Sequence, residues 1–161
     1  MVAAPKPSVV GPIAIGTIID GRYEIQSEVG HGGMGVIFRA RHVTLNRELA
    51  IKVLHGELSS DPVVAQRFIR EARSASSIGH PNIVDILDFG MLPDGTAYLV
   101  MELLEGESLR ECVEREGALP PDRALRILVE IGEALTAAHA SGVVHRDLKP
   151  ENLILQPDGL L

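Results

Sequence analysis

The sequence predicts an α+β fold in two parts: five strands, plausibly antiparallel, with one helix, followed by a part made mainly of helices. Two observations predict this division. Short segments with alternating apolar residues, typical of strands, fill the first part of the chain and enclose one amphipathic helical segment. Beyond Glu105 the apolar residues recur at helical spacing. We therefore expect the two parts to join near residues 101–106.

The first three predicted strands lie between Arg22 and Leu54. Their apolar residues alternate as expected for half-buried strands. These residues are Tyr23, Ile25 and Val29, then Val36, Phe38 and Ala40, then Leu49, Ile51 and Val53. Two further strands are predicted over residues 83–89 and 96–103, on either side of a Pro93-Asp94-Gly95 turn.

The helices are predicted from their end signals. Asp61 is a suitable N-cap, Pro62 suits the first helical position, and Gly79 suits the exit of the first helix. A capping box of Ser108 and Glu111 begins a short helix, which we expect to end at Gly117. A long amphipathic helix then runs from Pro121 to a stop at Gly142, with an apolar stripe of Leu125, Leu128, Ile131, Leu135 and Ala138.

Composition excludes several classes of function. The chain has 161 residues and a formal net charge of −7, which argues against nucleic acid or an anionic membrane as a partner. Cys112 is the single cysteine, so the sequence predicts no disulfide, no thiolate zinc site and a reducing, cytoplasmic setting. No apolar run approaches the roughly 18 residues of a membrane span. Residues 1–20 are predicted to be a flexible leader.

A glycine-rich segment at residues 30–35 contains the spacing GxGxxG. A dinucleotide-binding fold would continue into a helix here, whereas residues 36–41 continue as a strand. A glycine-rich turn between two strands lets backbone N–H groups approach phosphates without interference from Cβ atoms. The alternative is an ordinary hairpin turn.

Lys52 lies in the middle of a predicted strand, among apolar neighbours. A single lysine of this kind usually extends to solvent. Glu71, however, lies beside the inward stripe of the following helix, where an unpaired carboxylate is costly. We therefore expect Lys52 and Glu71 to form an ion pair that directs the ammonium group toward a polyphosphate.

The segment at residues 145–152 reads His-Arg-Asp-Leu-Lys-Pro-Glu-Asn. In a loop that follows a helix, Asp147 can accept a hydroxyl proton and Lys149 can neutralise a phosphoryl group during transfer. Asn152 can offer its carbonyl oxygen to Mg²⁺. The alternative is a charged surface loop in which Asp147 and Arg146 pair with neighbouring side chains.

Together the segments GHGGMGVIF, LAIK, REA, HPNIV and HRDLKPEN, in this order, resemble the eukaryotic-type (Hanks-type) protein serine/threonine kinases. The sequence GGMG within the first segment resembles the corresponding segment in the bacterial branch of that family. The resemblance implies a two-lobed protein-kinase-like fold. Residues 21–104 would form the small lobe and hinge, and residues 105–161 the start of the large lobe, truncated after the catalytic loop.

The resemblance also implies roles for individual residues. Asp147, Lys149, Lys52 and Glu71 would be catalytic, and Asn152 would bind Mg²⁺. The nucleotide-binding residues would be Val29, Gly30, Gly32, Gly33, Gly35, Ile37, Ala50, Lys52, Met101, Glu102 and Leu104. Met101 would be the gatekeeper, and residues 102–104 the hinge.

The expected activity is transfer of the γ-phosphoryl group of ATP to Ser or Thr hydroxyls of proteins. The family's Asp-Phe-Gly motif should follow Asn152 by about a dozen residues, which would place it after Leu161. We therefore expect this chain to be inactive alone. The sequence Asp88-Phe89-Gly90 precedes the catalytic loop and is interpreted as a strand end followed by a glycine turn. The alternatives are an ATP-binding or inactive scaffold fragment and, more remotely, a purely structural α+β domain.

Overall fold

The computed structural model describes residues 9–10, 13–32, 35–55 and 62–157 of the chain. These residues divide into two compact units. The first contains the described residues up to Arg73 together with Ile86–Leu103, and the second contains Ser74–Asp85 and the residues from Leu104 onward. The predicted N-cap at Asp61 and the end of the turn at residues 157–159 lie outside the described residues.

The first unit contains a six-stranded antiparallel sheet with the strand order β3-β4-β5-β6-β8-β7. Its strands are β3 (Ile18–Ile19), β4 (Tyr23–Gly32), β5 (Gly35–His42), β6 (Arg47–Leu54), β7 (Ile86–Met91) and β8 (Ala97–Met101). A separate short hairpin consists of β1 (Val9–Val10) and β2 (Ile13–Ala14). The five predicted strands are all present, with the fourth and fifth shorter than expected.

The sixth strand, β3, comes from the segment that the sequence predicted to be a flexible leader. That prediction is wrong for residues 13–20. Ile18 and Ile19 pair with β4, and Ile13 and Ile19 are buried in the core of the sheet. The physical reason is apolar burial, because each isoleucine removed from water stabilises the fold by about 2 kcal/mol.

One face of the sheet forms the core of the first unit. The alternation in β5 and β6 explains this, because Val36, Phe38 and Ala40 share one face and Leu49, Ile51 and Val53 lie opposite them. All six are buried. The remaining buried members of this core cluster are Ile13, Ile19, Tyr23, Ile25, Tyr98 and Val100.

A polar cluster connects the two edges of this curled sheet. The Tyr23 hydroxyl on β4 donates to Asp88 on β7 at 2.7 Å, and Arg22 contacts the same carboxylate at 2.8 Å. The Tyr98 hydroxyl on β8 donates to Asp20, which follows β3, at 3.2 Å. Burial is the main cause that raises the pKa of Tyr98 to about 12. These bonds join strands that do not pair through their backbones.

Helix α1 (Pro62–Ala75) follows the third long strand and starts at the predicted proline. It ends before the predicted Gly79, because residues 76–77 form a turn. Gly79 itself has a φ of +57°, which is the left-handed conformation that favours glycine.

The second unit contains two helices and a short strand pair. Helix α2 (Leu109–Glu116) begins at the predicted capping box of Ser108 and Glu111 and is followed by Gly117. Helix α3 (Pro121–Ala140) begins at the predicted proline and ends two residues before the predicted stop at Gly142. Strand β9 (Glu107–Ser108) precedes α2 and pairs with β10 (Ile154–Leu155). A 3-10 turn at Pro150–Asn152 comes just before β10.

The apolar stripe of α3 is only partly covered. Ile127 and Ala138 are buried, and Ile127 packs in a small core with Cys112 and Leu155. Leu125 and Leu128 from the predicted stripe are instead exposed, each at 62%. The helix thus presents apolar side chains on two sides, and one of these sides is open in this chain.

Candidate nucleotide and phosphoryl-transfer site

Several predicted nucleotide-binding residues lie together on the face of the sheet opposite the core. Ile37, Lys52 and Leu99 lie directly opposite one another on β5, β6 and β8. Two residues away on the same strands, Ala50 lies opposite Met101. Because directly opposed residues and residues two apart point to the same side of a sheet, these five side chains share one face.

Lys52 lies between Ile51 and Val53, whose side chains are fully buried on the other face. It is itself half-buried on the face that it shares with Ala50. The side chain of Glu71, on α1, lies outside the described residues, so the Lys52–Glu71 ion pair stays a prediction.

The glycine-rich segment forms the end of β4 and the start of β5, as the sequence predicted. A Cβ atom at Gly35 would lie 2.1 Å from the carbonyl oxygen of Val53, so this position requires glycine. A Cβ atom at Gly30 would meet nothing within 4 Å, so packing does not explain that glycine. Gly32 ends β4, and Gly33 lies outside the described residues.

The remaining predicted nucleotide-binding residues that the structure describes lie on β4 and shortly after β8. Val29 on β4 is 52% exposed, which is unusual for an apolar strand residue beside a packed core. Glu102 and Leu104 follow β8 and are half-buried. The boundary between the two units falls between Leu103 and Leu104, inside the predicted hinge.

In the second unit, three predicted site residues meet in the loop after α3. The Lys149 ammonium lies 2.9 Å from Asp147 Oδ2, and the Asn152 side-chain amide donates to the same oxygen at 3.0 Å. Asn152 also donates to the backbone carbonyl of Asp147 at 2.8 Å. The Asp147 N–H in turn donates to the His145 carbonyl at 2.9 Å. The loop therefore closes on itself around one carboxylate.

Backbone geometry helps to orient Asp147. Arg146, directly before it, has a φ of +61°, a conformation that is uncommon for residues other than glycine. Strained dihedrals of this kind persist only where surrounding contacts enforce them. Here the bonds from Asn152 to Asp147 supply such contacts on the other side of the turn.

The electrostatics of the loop keep Asp147 ionised. The hydrogen bond from Lys149 lowers the pKa of the Asp147 carboxyl below its ordinary value, and the bond from Asn152 lowers it further. The side chain is more than half exposed. Asp147 is thus a reachable carboxylate that is charged at neutral pH and can accept a proton from a hydroxyl group.

Asn152 is oriented as a ligand for a hard cation would be. Both of its bonds to Asp147 use the side-chain nitrogen, so the side-chain carbonyl oxygen points away from that carboxylate. Mg²⁺ prefers oxygen ligands of this type. The residues present therefore fit the prediction of one magnesium ligand at this position.

The earlier Asp-Phe-Gly sequence has structural partners at each of its residues. Asp88 accepts bonds from Arg22 and Tyr23, and its other oxygen accepts the Phe89 N–H at 2.9 Å. A Cβ atom at Gly90 would lie 2.5 Å from the Tyr98 hydroxyl oxygen. The sequence predicted that these three residues lie at the end of a strand. They lie instead inside β7. Their structural interpretation nevertheless agrees with these contacts.

Two other features of the described residues are not part of this site. Glu107, Cys112 and Glu116 have potential metal-binding atoms within 4.8 Å of one another. Both carboxylates already pair with Arg115, and Cys112 is fully buried, so we assign no metal there. A groove of about 590 Å³ along α1 is lined by Val63, Gln66, Ile69, Arg70 and Arg73. It contains none of the predicted site residues.

Sequence reasoning missed two residues: one shares the nucleotide face, and the other contacts the loop that carries Asp147. Leu99 lies beside Lys52 on the nucleotide face, and its alternation with Met101 along β8 was the signal that could have found it. Arg110 on α2 contacts Glu151, within the loop that carries Asp147, at 3.1 Å. The pair is 41 residues apart, and no local pattern indicates it.

The fold and these two groups of residues define a protein-kinase-like domain. A family model described as "Protein kinase domain" matches residues 23–161, and the chain belongs to this family. The predicted family and fold class are thereby confirmed.

The relatives are bacterial proteins named as serine/threonine-protein kinases. The chain is 42% identical to pkn3 of Myxococcus xanthus over 143 residues, which is 89% of this chain and 26% of that protein. It is 44% identical to PknA of Mycobacterium tuberculosis (strain H37Rv), covering 90% of this chain and 35% of PknA. It is also 44% identical to PrkC of Bacillus subtilis (strain 168), covering 90% of this chain and 22% of PrkC.

Solved structures agree with this assignment. The crystal structure of the Mycobacterium tuberculosis PknI kinase domain matches with a TM-score of 0.79 at 30% identity, covering 92% of this chain and 61% of that chain. The chain thus spans about a fifth to a third of these curated relatives and about three fifths of the solved kinase domain. In the described part of the chain, none of the helices combines the length and apolar character that crossing a bilayer requires.

Proposed function

We propose that the complete protein is a serine/threonine kinase that transfers the γ-phosphoryl group of ATP to Ser or Thr hydroxyls of protein substrates. The observation that carries this proposal is that Lys149 and Asn152 both contact the same carboxylate oxygen of Asp147. This arrangement supplies a proton acceptor, a positive charge and a metal ligand within six residues. The family's use of ATP and Mg²⁺ supports the choice of cofactors.

In the proposed reaction the substrate hydroxyl attacks the γ-phosphorus. A new O–P bond forms, the bond to the β–γ bridging oxygen breaks, and ADP leaves with that electron pair. Asp147 orients the hydroxyl and accepts its proton, while Lys149 offsets the charge on the transferred group. Mg²⁺, when bound, neutralises phosphate charge, and Asn152 would be one of its ligands.

Nucleotide binding is assigned to the sheet of the first unit. Ala50, Ile37 and Met101 offer an apolar surface for adenine, and Lys52 on the same face provides the positive charge for the α- and β-phosphates. The glycine-rich hairpin, with Gly35 packed against the Val53 carbonyl, brings backbone N–H groups to the phosphates. Val29, Gly30, Gly32, Gly33, Glu102 and Leu104 complete the proposed set, and the ion pair of Lys52 with Glu71 belongs to it. The free, buried thiol of Cys112 fits a cytoplasmic location.

The test uses a longer version of the protein that spans the whole family domain, assayed with γ-labelled ATP and a Ser/Thr-containing protein substrate. We expect Mg²⁺-dependent labelling, and we expect Asp147→Asn to reduce it by a factor of about 10² to 10⁴ with folding unchanged. Full activity of the folded Asp147→Asn protein would refute the assignment of Asp147.

A second candidate function is nucleotide binding without catalysis by this chain alone. It is favoured by the finding that the chain spans only 61% of the solved PknI kinase domain. Thermal unfolding of the 161-residue chain with Mg-ATP tests it, because a ligand at 100 times its Kd stabilises a fold by about 2.7 kcal/mol. An unchanged melting temperature at millimolar Mg-ATP would reject nucleotide binding by this chain.

A further inference from the structure

The loop at residues 145–152 is attached to the rest of its unit through the start of α2. The backbone N–H of Leu109 donates to the carbonyl of Leu153 at 2.7 Å. Next to this bond, Ser108 pairs with Ile154 in the β9–β10 ladder. The end of the loop is thus fixed to residues that lie about 45 positions earlier in the sequence.

Gly106 allows this close approach. It has a φ of +141°, and a Cβ atom there would lie 2.0 Å from the carbonyl oxygen of Leu155. Only glycine avoids both the steric overlap and the unfavourable backbone conformation. The attachment of the loop therefore depends on the shape of the backbone at the start of β9.

The side-chain part of the attachment is Arg110. Its Nη1 lies 3.1 Å from Oε1 of Glu151, which is the central residue of the 3-10 turn Pro150–Asn152. Its Nε donates to Glu114, one helical turn further along α2, at 2.7 Å. Glu114 thus restricts the guanidinium group so that its other side faces the loop.

We propose that Arg110 is a positioning residue for the phosphoryl-transfer site: by binding Glu151, it fixes the turn that sets the side chain of Asn152 against Asp147. The proposal rests on the proposed function of that loop. Glu151 is directly bonded to Asn152 in the chain, and Asn152 carries the two bonds that restrain Asp147. A shift of the turn therefore changes the positions of the proposed metal ligand and the proton acceptor together.

Loss of the Arg110–Glu151 pair should change the stability of the fold little, but it should change the geometry of the loop. Arg110 and Glu151 are both about half exposed, and exposed ion pairs contribute little to the free energy of folding. Phosphoryl transfer depends instead on placement, because a displacement of about 1 Å at a reacting group can cost as much as 10²-fold in rate. Arg110 is accordingly expected to matter for the loop and little for the fold.

The first test measures amide hydrogen exchange in the 161-residue chain. We expect Arg110→Ala to raise exchange of the Asn152 and Leu153 amides, which bond within the turn, by about threefold to fivefold, with α3 unchanged. The matched control is Arg126→Ala, which removes another exposed arginine in an i,i+4 pair, with Asp122, away from the loop. Unchanged exchange at Asn152 and Leu153 in folded Arg110→Ala overturns the proposal.

A charge-reversal pair covers the case in which Arg110→Ala does not fold. Arg110→Glu combined with Glu151→Arg recreates the ion pair with opposite polarity. We expect the double variant to regain at least half of the protection that either single variant loses. A double variant that is no better protected than the single variants overturns the proposal.

The second test measures steady-state kinetics in the longer version of the protein. We expect Arg110→Ala to lower kcat roughly tenfold and to raise the Mg²⁺ concentration needed for half-maximal rate, with KM for ATP nearly unchanged. Arg110→Lys should recover part of kcat, and Arg126→Ala should match the wild type. Active wild type with unaltered kcat in Arg110→Ala overturns the positioning role alone, whereas inactive wild type overturns the proposed function itself.

Discussion

Asp88 and Asp147 are two aspartates in motif-like sequences, and the chain holds them in opposite ways. Asp88 binds side chains that are 65 and 66 residues away in sequence, and its side chain is 28% exposed. Asp147 binds Lys149 and Asn152, two and five residues away, and its side chain is 56% exposed. A carboxylate that joins distant strands stabilises the fold, whereas one held locally in an open loop stays available to a substrate.

The same contrast applies to the residues around each aspartate. Near Asp88, Gly90 leaves room for the ring of Tyr98, and the Tyr98 hydroxyl reaches Asp20 at the opposite edge of the sheet. The bonds of Asp147 itself stay within residues 145–152, which belong to the unit that does not contain the six-stranded sheet. Variants in the two segments should therefore separate stability from activity.

The largest effect on stability is expected for Gly90→Ala. The added Cβ atom would lie 2.5–2.8 Å from three atoms of the Tyr98 ring and hydroxyl, and Tyr98 is almost completely buried. We expect the free energy of unfolding to fall by roughly 2–3 kcal/mol, measured by urea denaturation. The control is Gly132→Ala in α3, where a Cβ atom meets nothing within 4 Å. That change should be neutral or stabilising by up to about 1 kcal/mol, and an equal loss in both variants would contradict the prediction.

The stability and the activity of Asp88→Asn and Asp147→Asn can be compared directly. Asp88→Asn weakens the bonds from Arg22 and Tyr23, and we expect a loss of about 1–2 kcal/mol in the free energy of unfolding of the chain. Asp147→Asn should lower the denaturation midpoint of the chain less than Asp88→Asn does, because the bonds of Asp147 to Lys149 and Asn152 are exposed to solvent. In the longer version of the protein the order reverses: Asp88→Asn should keep its kinase activity at temperatures where it is folded, and Asp147→Asn should lose it. A stable Asp88→Asn protein without activity would show that the structural interpretation of Asp88 is wrong.

Much of the fold could be predicted because its signals are local. Alternating apolar residues place β4, β5 and β6, and the pairing of Ser108 with Glu111 places the start of α2 to the residue. The local contacts of Asp147, Lys149 and Asn152 were also predictable, since their partners lie within five residues. For the same reason the charged-loop alternative was partly right: Asp147 does pair with a neighbouring lysine.

The features that could not be predicted depend on partners far away in the sequence. Strand β3 has two residues, too few for alternation to show, and it forms only because β4 is available to pair with it. The bonds that close the curled sheet join Tyr23 to Asp88, and the bond that anchors the loop joins Arg110 to Glu151. Such pairs become visible only when the chain is folded.

The smallest expected effect is a change in the titration of Asp147 in Lys149→Met. Because the folded-state pKa of Asp147 is lowered mainly by Lys149, its contribution to stability is complete above the ordinary aspartate pKa of about 3.9 and is lost as the pH falls through the lower folded-state value. Removing the ammonium group should raise the pKa of Asp147 toward its ordinary value, although the bond from Asn152 keeps it from returning fully. Carboxyl-carbon NMR between about pH 2 and pH 6 measures this shift.

Glu111 provides the internal control for that titration. Its pKa is also lowered, but by the backbone N–H and hydroxyl of Ser108 at the start of α2. Lys149→Met should leave the titration of Glu111 where it is, because the capping box does not involve the loop. An unchanged pKa at Asp147 would mean that Lys149 does not set the charge of this carboxylate. The local restraint that distinguishes Asp147 from Asp88 would then rest on Asn152 alone.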